Sequence, residues 1–197
     1  MSIVFLPVTR GRWPDLERLF SASGGEALGN PSRCWCMEWR LASHEEWEKG
    51  AEAGGKPNRE GMRRFVASGE VPGIIAYVDG EPAGWCSVSP RPSLIGLKTA
   101  AEYRNFEDPN VWVVICFYVP ETQRGKGMML HLLEAAMRYA AENGARVVEG
   151  YPFEAAHAGD GAGGTIEAFE RAGFKEVRRV SEHQAVMRWY RQRTGSE

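Results

Sequence analysis

The chain has 197 residues, a formal net charge of −2 and 43% hydrophobic residues, enough for residues 1–197 to be expected to form one domain with its own core. Acids and bases are mixed along it, so no basic block points to nucleic acid and no acidic tail to a disordered arm. The apolar runs are short strands, far below the roughly 20 residues a membrane helix needs, so no membrane partner is expected.

The N-terminal "MSIVFLPVTRGRW" lacks a charged n-region and a full h-region, so no signal peptide is expected. The four cysteines, Cys34, Cys36, Cys86 and Cys116, are spread along the chain, as suits buried thiols in a reducing cytoplasm. A C-x-C pair with no second Cys/His pair is a poor zinc pattern, and no metal is expected.

In chain order, "SIVFLPVTR" reads as a first strand and "RWPDLERLFSASG" as a short helix stopped at a Gly pair. "NPSRCWCMEWRLASHEEWEKGAEAGG" is dense in Trp, with a helical second half where Ser43 and Glu46 have capping-box spacing. "KPNREGMRRFVASGE" predicts another helix. "GIIAYVDGEPAGWCSVSP" predicts a hairpin turning at Asp79-Gly80. "RPSLIGLKTAAEYRNFEDPN" has no clean period, and a connection of that length is more often functional than idle.

"VWVVICFYV" is apolar throughout, as a central strand covered on both faces would be. The helix from about Met128 places Leu130, Leu133, Met137 and Ala140/Ala141 on one face and ends at Asn143-Gly144. "ARVVEGYP" is a strand and "FEAAHAGDGAGG" a small-residue loop. "TIEAFERAG" is a helix capped by Thr165 and ended by Gly173, and "FKEVRRV" and "QAVMRWYR" are closing strands. The order β-α-α-β-β-β-α-β-α-β-β implies an α/β (α+β) domain, a mixed sheet with helices on both faces.

The junction between the central strand and its helix carries Arg124-Gly125-Lys126-Gly127. A helix N-terminus has unpaired N–H groups and partial positive charge, and glycines before it let an anion approach closely. With two cationic side chains added, the pattern suits a diphosphate. Read in isolation, it is rather a tight turn needing Gly, with solvated Arg and Lys. It has neither the G-x-x-x-x-G-K-S/T spacing nor a Rossmann fingerprint.

In context, "RGKGMM" after a central strand resembles the R/Q-x-x-G-x-G/A motif of the GNAT superfamily of acyl-CoA-dependent N-acyltransferases. Arg124 and Gly127 match, and Met129 replaces the last small residue. "FERAGFKEV" is similar to that family's closing helix-to-strand segment, and the element order resembles its fold over nearly the whole chain. "CWCMEWR", "GWCSVSPR" and "VVEGYP" resemble a bacterial subgroup of it.

The resemblance implies a mostly antiparallel central sheet whose two central parallel strands splay apart, and acetyl-CoA as cofactor. The N–H groups from Arg124 through Lys126, Gly127 and Met128 to Met129 would cradle its diphosphate. The pantetheine arm would pair with Phe117, Tyr118 and Val119, and an N–H near Val119 would hold the oxyanion. Phe169 would stand by the cofactor, where relatives carry a Tyr that protonates the leaving thiolate.

The expected reaction is direct attack by an amine of a small molecule, since three extra segments would enclose the acceptor side. A peptide acceptor, or a binding module without turnover, is the alternative. A homodimer is a family-level expectation.

The central strand carries no acid, so Glu149 on the next strand is the candidate base, against a solvent-facing strand residue. Tyr151 is the substitute acid, against an aromatic packed on the sheet edge. Cys116 is a candidate acyl-accepting nucleophile, against a buried, inert thiol. Cys34-Trp35-Cys36, Trp39 and Arg40 read as an acceptor-pocket wall or an aromatic mini-core. Arg91 reads as an anion contact or a solvated loop residue. His44, His131, His157 and His183 read as isolated surface or helix residues.

Overall fold

A computed structural model describes residues 2–23, 30–100, 103, 110–159 and 162–192. A seven-stranded sheet runs in the order β1-β2-β3-β4-β5-β7-β6. The strands are β1 (Ile3–Pro7), β2 (Gly73–Val78), β3 (Glu81–Pro90), β4 (Val111–Tyr118), β5 (Val147–Gly150), β6 (Lys175–Arg179) and β7 (Ala185–Tyr190). All neighbours are antiparallel except β4 and β5, joined through helix α6 (Met128–Glu142).

Helices cover both faces. On one, α6 and α7 (Ile166–Arg171) bury Leu132, Leu133, Ala136 and Phe169 against Ile74, Cys86, Val114 and Phe117. On the other lie α1 (Trp13–Ser21), α2 (Pro31–Cys34), α3 (His44–Glu52) and α4 (Lys56–Ala67). They supply Leu16, Phe20, Trp47 and Met62, packed with Trp35 on Ile75 and Trp85. No described helix is long and apolar enough to cross a membrane.

Local chemistry explains most of these elements. Asp79 and Gly80 both take positive φ, 49° and 88°, which a two-residue hairpin with the strands' right-handed twist requires. Ser43 Oγ accepts from Glu46 N–H at 3.2 Å and caps α3. Helix α6 ends with Gly144 at φ 92° and Ala145 N–H donating to the Ala140 carbonyl, a Schellman closure. Its buried face is centred on Leu132, Leu133, Ala136, Met137 and Ala140, while Leu130 and Ala141 lie at its margin. The Gly pair expected to stop α1 lies outside the described residues, and α1 itself ends at Ser21.

The long connection after β3 contains a short helix the sequence did not announce, α5 (Gly96–Thr99). Leu94, Leu97 and Tyr103 from it pack on Val111, Val113 and Val147, so part of it is core. Thr165 Oγ1 accepts from Ala168 N–H at 3.3 Å at the start of α7. Thr165→Ala is expected to cost about 1 kcal/mol, readable as a lower urea midpoint with an unchanged slope.

Candidate functional site

Two breaks in the β4 ladder create the site. Cys116 faces Ser87 and Val114 faces Val88 across β3, so Ile115 is an extra residue, a bulge that bends the strand. On the other side β5 follows β4 only from Val111↔Val147 to Val114↔Gly150. Beyond that, Ile115–Tyr118 has no β5 partner, and the parallel pair splays. Phe117 N–H donates instead to the Ala162 carbonyl at 2.6 Å, so the small-residue loop closes this stretch.

A cavity of about 620 Å³ opens at the split. Its walls are the released end of β4 (Cys116, Phe117, Tyr118, Val119), the glycine turn with the first residues of α6 (Arg124, Gly125, Gly127, Met128, Met129), and Ala162, Thr165 and Arg171. Gly125 and Gly127 sit at φ 72° and 76°. A Cβ on Gly125 would meet nothing within 4 Å, and one on Gly127 only His131 at 3.9 Å. No side chain caps α6, so its first N–H groups point outward uncapped. Open space over glycines before an uncapped helix fits a diphosphate.

Arg124 and Lys126 are tied back to the turn. Arg124 Nε donates to the Val119 carbonyl at 3.0 Å and Lys126 Nζ to the Thr122 carbonyl at 2.8 Å. Both are exposed, and Lys126 lies outside the cavity wall.

Phe169 also lies outside the wall. It is fully buried, edge-on to Phe117 and Phe174 at centroid distances of 6.2 and 4.8 Å. Gly150 and Gly164 form a slot for its ring, and Cβ atoms there would come within 2.3 and 2.9 Å of it. Restoring a hydroxyl by Phe169→Tyr therefore overfills the slot. The expected cost is about 1–3 kcal/mol with no gain in turnover, measured by urea unfolding and steady-state kinetics.

Glu149 and Tyr151 occupy a separate buried network rather than the cavity wall. Glu149 is 0% exposed. Its Oε1 accepts from Arg91 Nη1 and the Tyr151 hydroxyl, and its Oε2 from Arg188 Nε at 2.7 Å. Arg91 also donates to the Tyr151 hydroxyl at 2.7 Å and to the Tyr103 carbonyl. Burial, then the Glu149 charge, push the Tyr151 phenol well above its ordinary range, against the pull of Arg91. Glu149 is thus no solvent-facing strand residue, and Arg91 is neither a solvated loop residue nor exposed to an anion. The strand's alternation could not show this, because both faces of β5 are covered.

Cys34 and Cys36 reach the cavity with Cys116. Cys36 Sγ is hydrogen-bonded to both neighbouring thiols and accepts from Trp85 Nε1 at 3.2 Å. Hydrogen bonding along the row and burial push the Cys34 and Cys36 thiols well up, so both are kept protonated at neutral pH. Trp35 and Cys36 take left-handed φ values of 50° and 47°, a strained turn that aims both thiols the same way. Arg40 lies behind this turn. Its Nη2 donates to the Pro72 carbonyl, Ser87 Oγ and Ser89 Oγ at 2.9–3.1 Å, and burial lowers its pKa to about 10. It clamps the segment to the sheet.

Arg171 and Ala162 were not singled out by sequence, and Thr165 only as a helix cap. They reach the wall only because α7 and the preceding loop fold over the split.

Solved structures share this architecture. The PaiA N-acetyltransferase of Thermoplasma acidophilum, in complex with coenzyme A, aligns at a TM-score of 0.56 and 14% identity, covering 97% of this chain and 100% of that one. The aminoglycoside acetyltransferase AAC(6')-Ib with ribostamycin and coenzyme A aligns at 0.59 and 18%, covering 100% and 99%. The ribosomal-protein-alanine N-acetyltransferase of Brucella melitensis aligns at 0.54 and 16%, covering 95% and 99%. At these identities the likeness is one of fold. Among curated proteins none matches the chain. The sequence profile of the acetyltransferase (GNAT) family, however, matches residues 35–174, well over half of the 197. The chain belongs to the acetyltransferase (GNAT) family.

Proposed function

We propose that the protein transfers the acetyl group of acetyl-CoA to a primary amine of a small molecule by direct attack. The observation that carries this reading is the coincidence of three features in one cavity: the splayed β4 end, the open glycine turn and the uncapped start of α6. Acetyl-CoA supplies an activated thioester. The N–H groups at the start of α6 bind its diphosphate, Gly125 and Gly127 leave room for it, and the backbone of Phe117–Val119, exchanging the Ala162 bond of Phe117, aligns the pantetheine arm. An N–H near Val119 polarises the carbonyl.

Glu149 and Tyr151 lie off the cavity wall, where the carboxylates are Glu121 and Glu167, so in this reading the amine's proton passes to water or to one of these two. A thiol of reference pKa about 8.5 leaves without a donor, which accommodates Phe169. The solved relatives act on or bind aminoglycosides in one case and a protein amine in another. Cys34 and Cys36 from the Trp/Cys segment and Ala162 from the small-residue loop border the cavity and support a small acceptor, while no described residue of the connection 89–110 lines it.

A second reading, an acyl-CoA-binding module without turnover, rests on Phe169. Release of free thiol from acetyl-CoA, followed with a panel of small amines and with none, separates the two. The transferase reading requires release that depends on the amine. Tight acetyl-CoA binding with no amine-dependent release across the panel supports the module.

A further inference from the structure

Histidines that look solitary in sequence are brought together at the open end of β5. Glu154 and His157 lie on the loop after β5, and His183 lies on the β6–β7 connection. Backbone bonds fix the two segments against each other. Glu154 N–H donates to the His183 carbonyl at 2.9 Å and Ala185 N–H to the Pro152 carbonyl at 3.1 Å, while Phe153 bridges Gln184. The two imidazoles stack with centroids 3.5 Å apart and planes inclined by 4°. His183 Nδ1 is 3.2 Å from Glu154 Oε2. One ligand atom from each of Glu154, His157 and His183 lies within 4.8 Å of the others.

We propose that Glu154, His157 and His183 bind a borderline divalent transition cation of the zinc type. Two imidazole nitrogens and one carboxylate oxygen suit Zn²⁺, Ni²⁺ or Cu²⁺ and not Mg²⁺ or Ca²⁺, which take all-oxygen shells. Metal–ligand bonds of about 2.0–2.2 Å put ligand atoms about 3–3.5 Å apart around one ion; because an imidazole lone pair lies in its ring plane, the two rings must turn out of their parallel stack for both nitrogens to face it. His157 is exposed, so the remaining positions of the shell face water.

Arg179 does not compete for the same oxygen. Its Nη1 takes Glu154 Oε1 at 3.2 Å and leaves Oε2 turned to His183. It orients the carboxylate as an outer partner does in metal sites. Glu182 Oε2, 3.9 Å from His183 Nε2, stands beside the same ring. The cation would clip the loop after β5 to the β6–β7 connection. Phe153, next to Glu154, also bridges Thr165 of the cavity wall.

The test is calorimetric titration of the full chain with ZnCl₂, NiCl₂ and MgCl₂, with no donor or acceptor present. Zinc and nickel are expected to bind at one equivalent and magnesium not at all. His157→Ala and His183→Gln are each expected to weaken zinc by more than about 100-fold, since loss even of an outer partner costs 10–100-fold. Each variant's circular dichroism spectrum should match the parent's. His44→Gln and His131→Gln should leave binding unchanged. No zinc binding by the parent, or binding that survives His157→Ala together with His183→Gln, overturns the site. The readout needs no activity, so it stands apart from the transferase reading.

Discussion

Gly125→Trp is expected to stay folded and to lose at least about 100-fold in coenzyme A affinity. The backbone there has φ 72°, which costs an L side chain about 1–2 kcal/mol, and a Cβ would touch nothing within 4 Å. The fold therefore has room for the Cβ, and the indole would extend into the cavity that Gly125 lines. That same room is what an anion needs to reach the start of α6, and the ring would fill it. The parent at roughly 100-fold ligand excess over Kd should gain about 2.7 kcal/mol of stability, and the variant almost none. Thermal shifts with coenzyme A and acetyl-CoA measure both, with ATP as control. A variant that binds coenzyme A like the parent would reduce "RGKG" to a turn and remove the cofactor from this cavity.

Glu149→Gln should have the largest effect on stability, about 3–5 kcal/mol. The side chains of Arg91 and Arg188 are 11% and 13% exposed, and Glu149 is their shared counter-ion. The amide keeps the volume and removes the carboxylate charge that the two guanidiniums share. A domain of ordinary stability, about 5–15 kcal/mol, would be left marginal. Urea unfolding reads the loss. Turnover per folded molecule should be nearly unchanged, because the carboxylate holds a structural position. A large fall in kcat at an unchanged unfolding midpoint would instead make Glu149 the base.

What the sequence showed was local. The all-apolar β4, the glycines after it and the helical period of α6 are adjacent in the chain, so their meaning survives without tertiary information. The Asp79-Gly80 turn, the Ser43 and Thr165 caps and the Gly144 closure were legible for the same reason. The candidate site was half legible. The β4 end and glycine turn line the cavity, but Phe169, Lys126, Glu149 and Tyr151 do not: strand alternation is silent on Glu149 when both faces of β5 are covered, and the slot that takes the Phe169 ring is made by Gly150 and Gly164, which lie outside its helix. The Ile115 bulge leaves no composition signal. The pairing of His157 with His183 and of Arg91 with Glu149 joins segments that only the sheet order β5-β7-β6 and the long connection bring together.

The hydrogen bond from Phe117 to Ala162 bears on how donor affinity is divided along the ligand. An N–H that is already satisfied gives an incoming amide an exchange, one bond broken for one made. A protein hydrogen bond nets only about 0.5–1.5 kcal/mol, and an exchange nets less. In the proposed transferase the pantetheine arm would therefore be guided more than held, and most of the grip would fall on the diphosphate at α6. On that reading, discrimination among acyl groups would rest on the shape of the wall beyond Cys116 and not on the strength with which the carrier is bound.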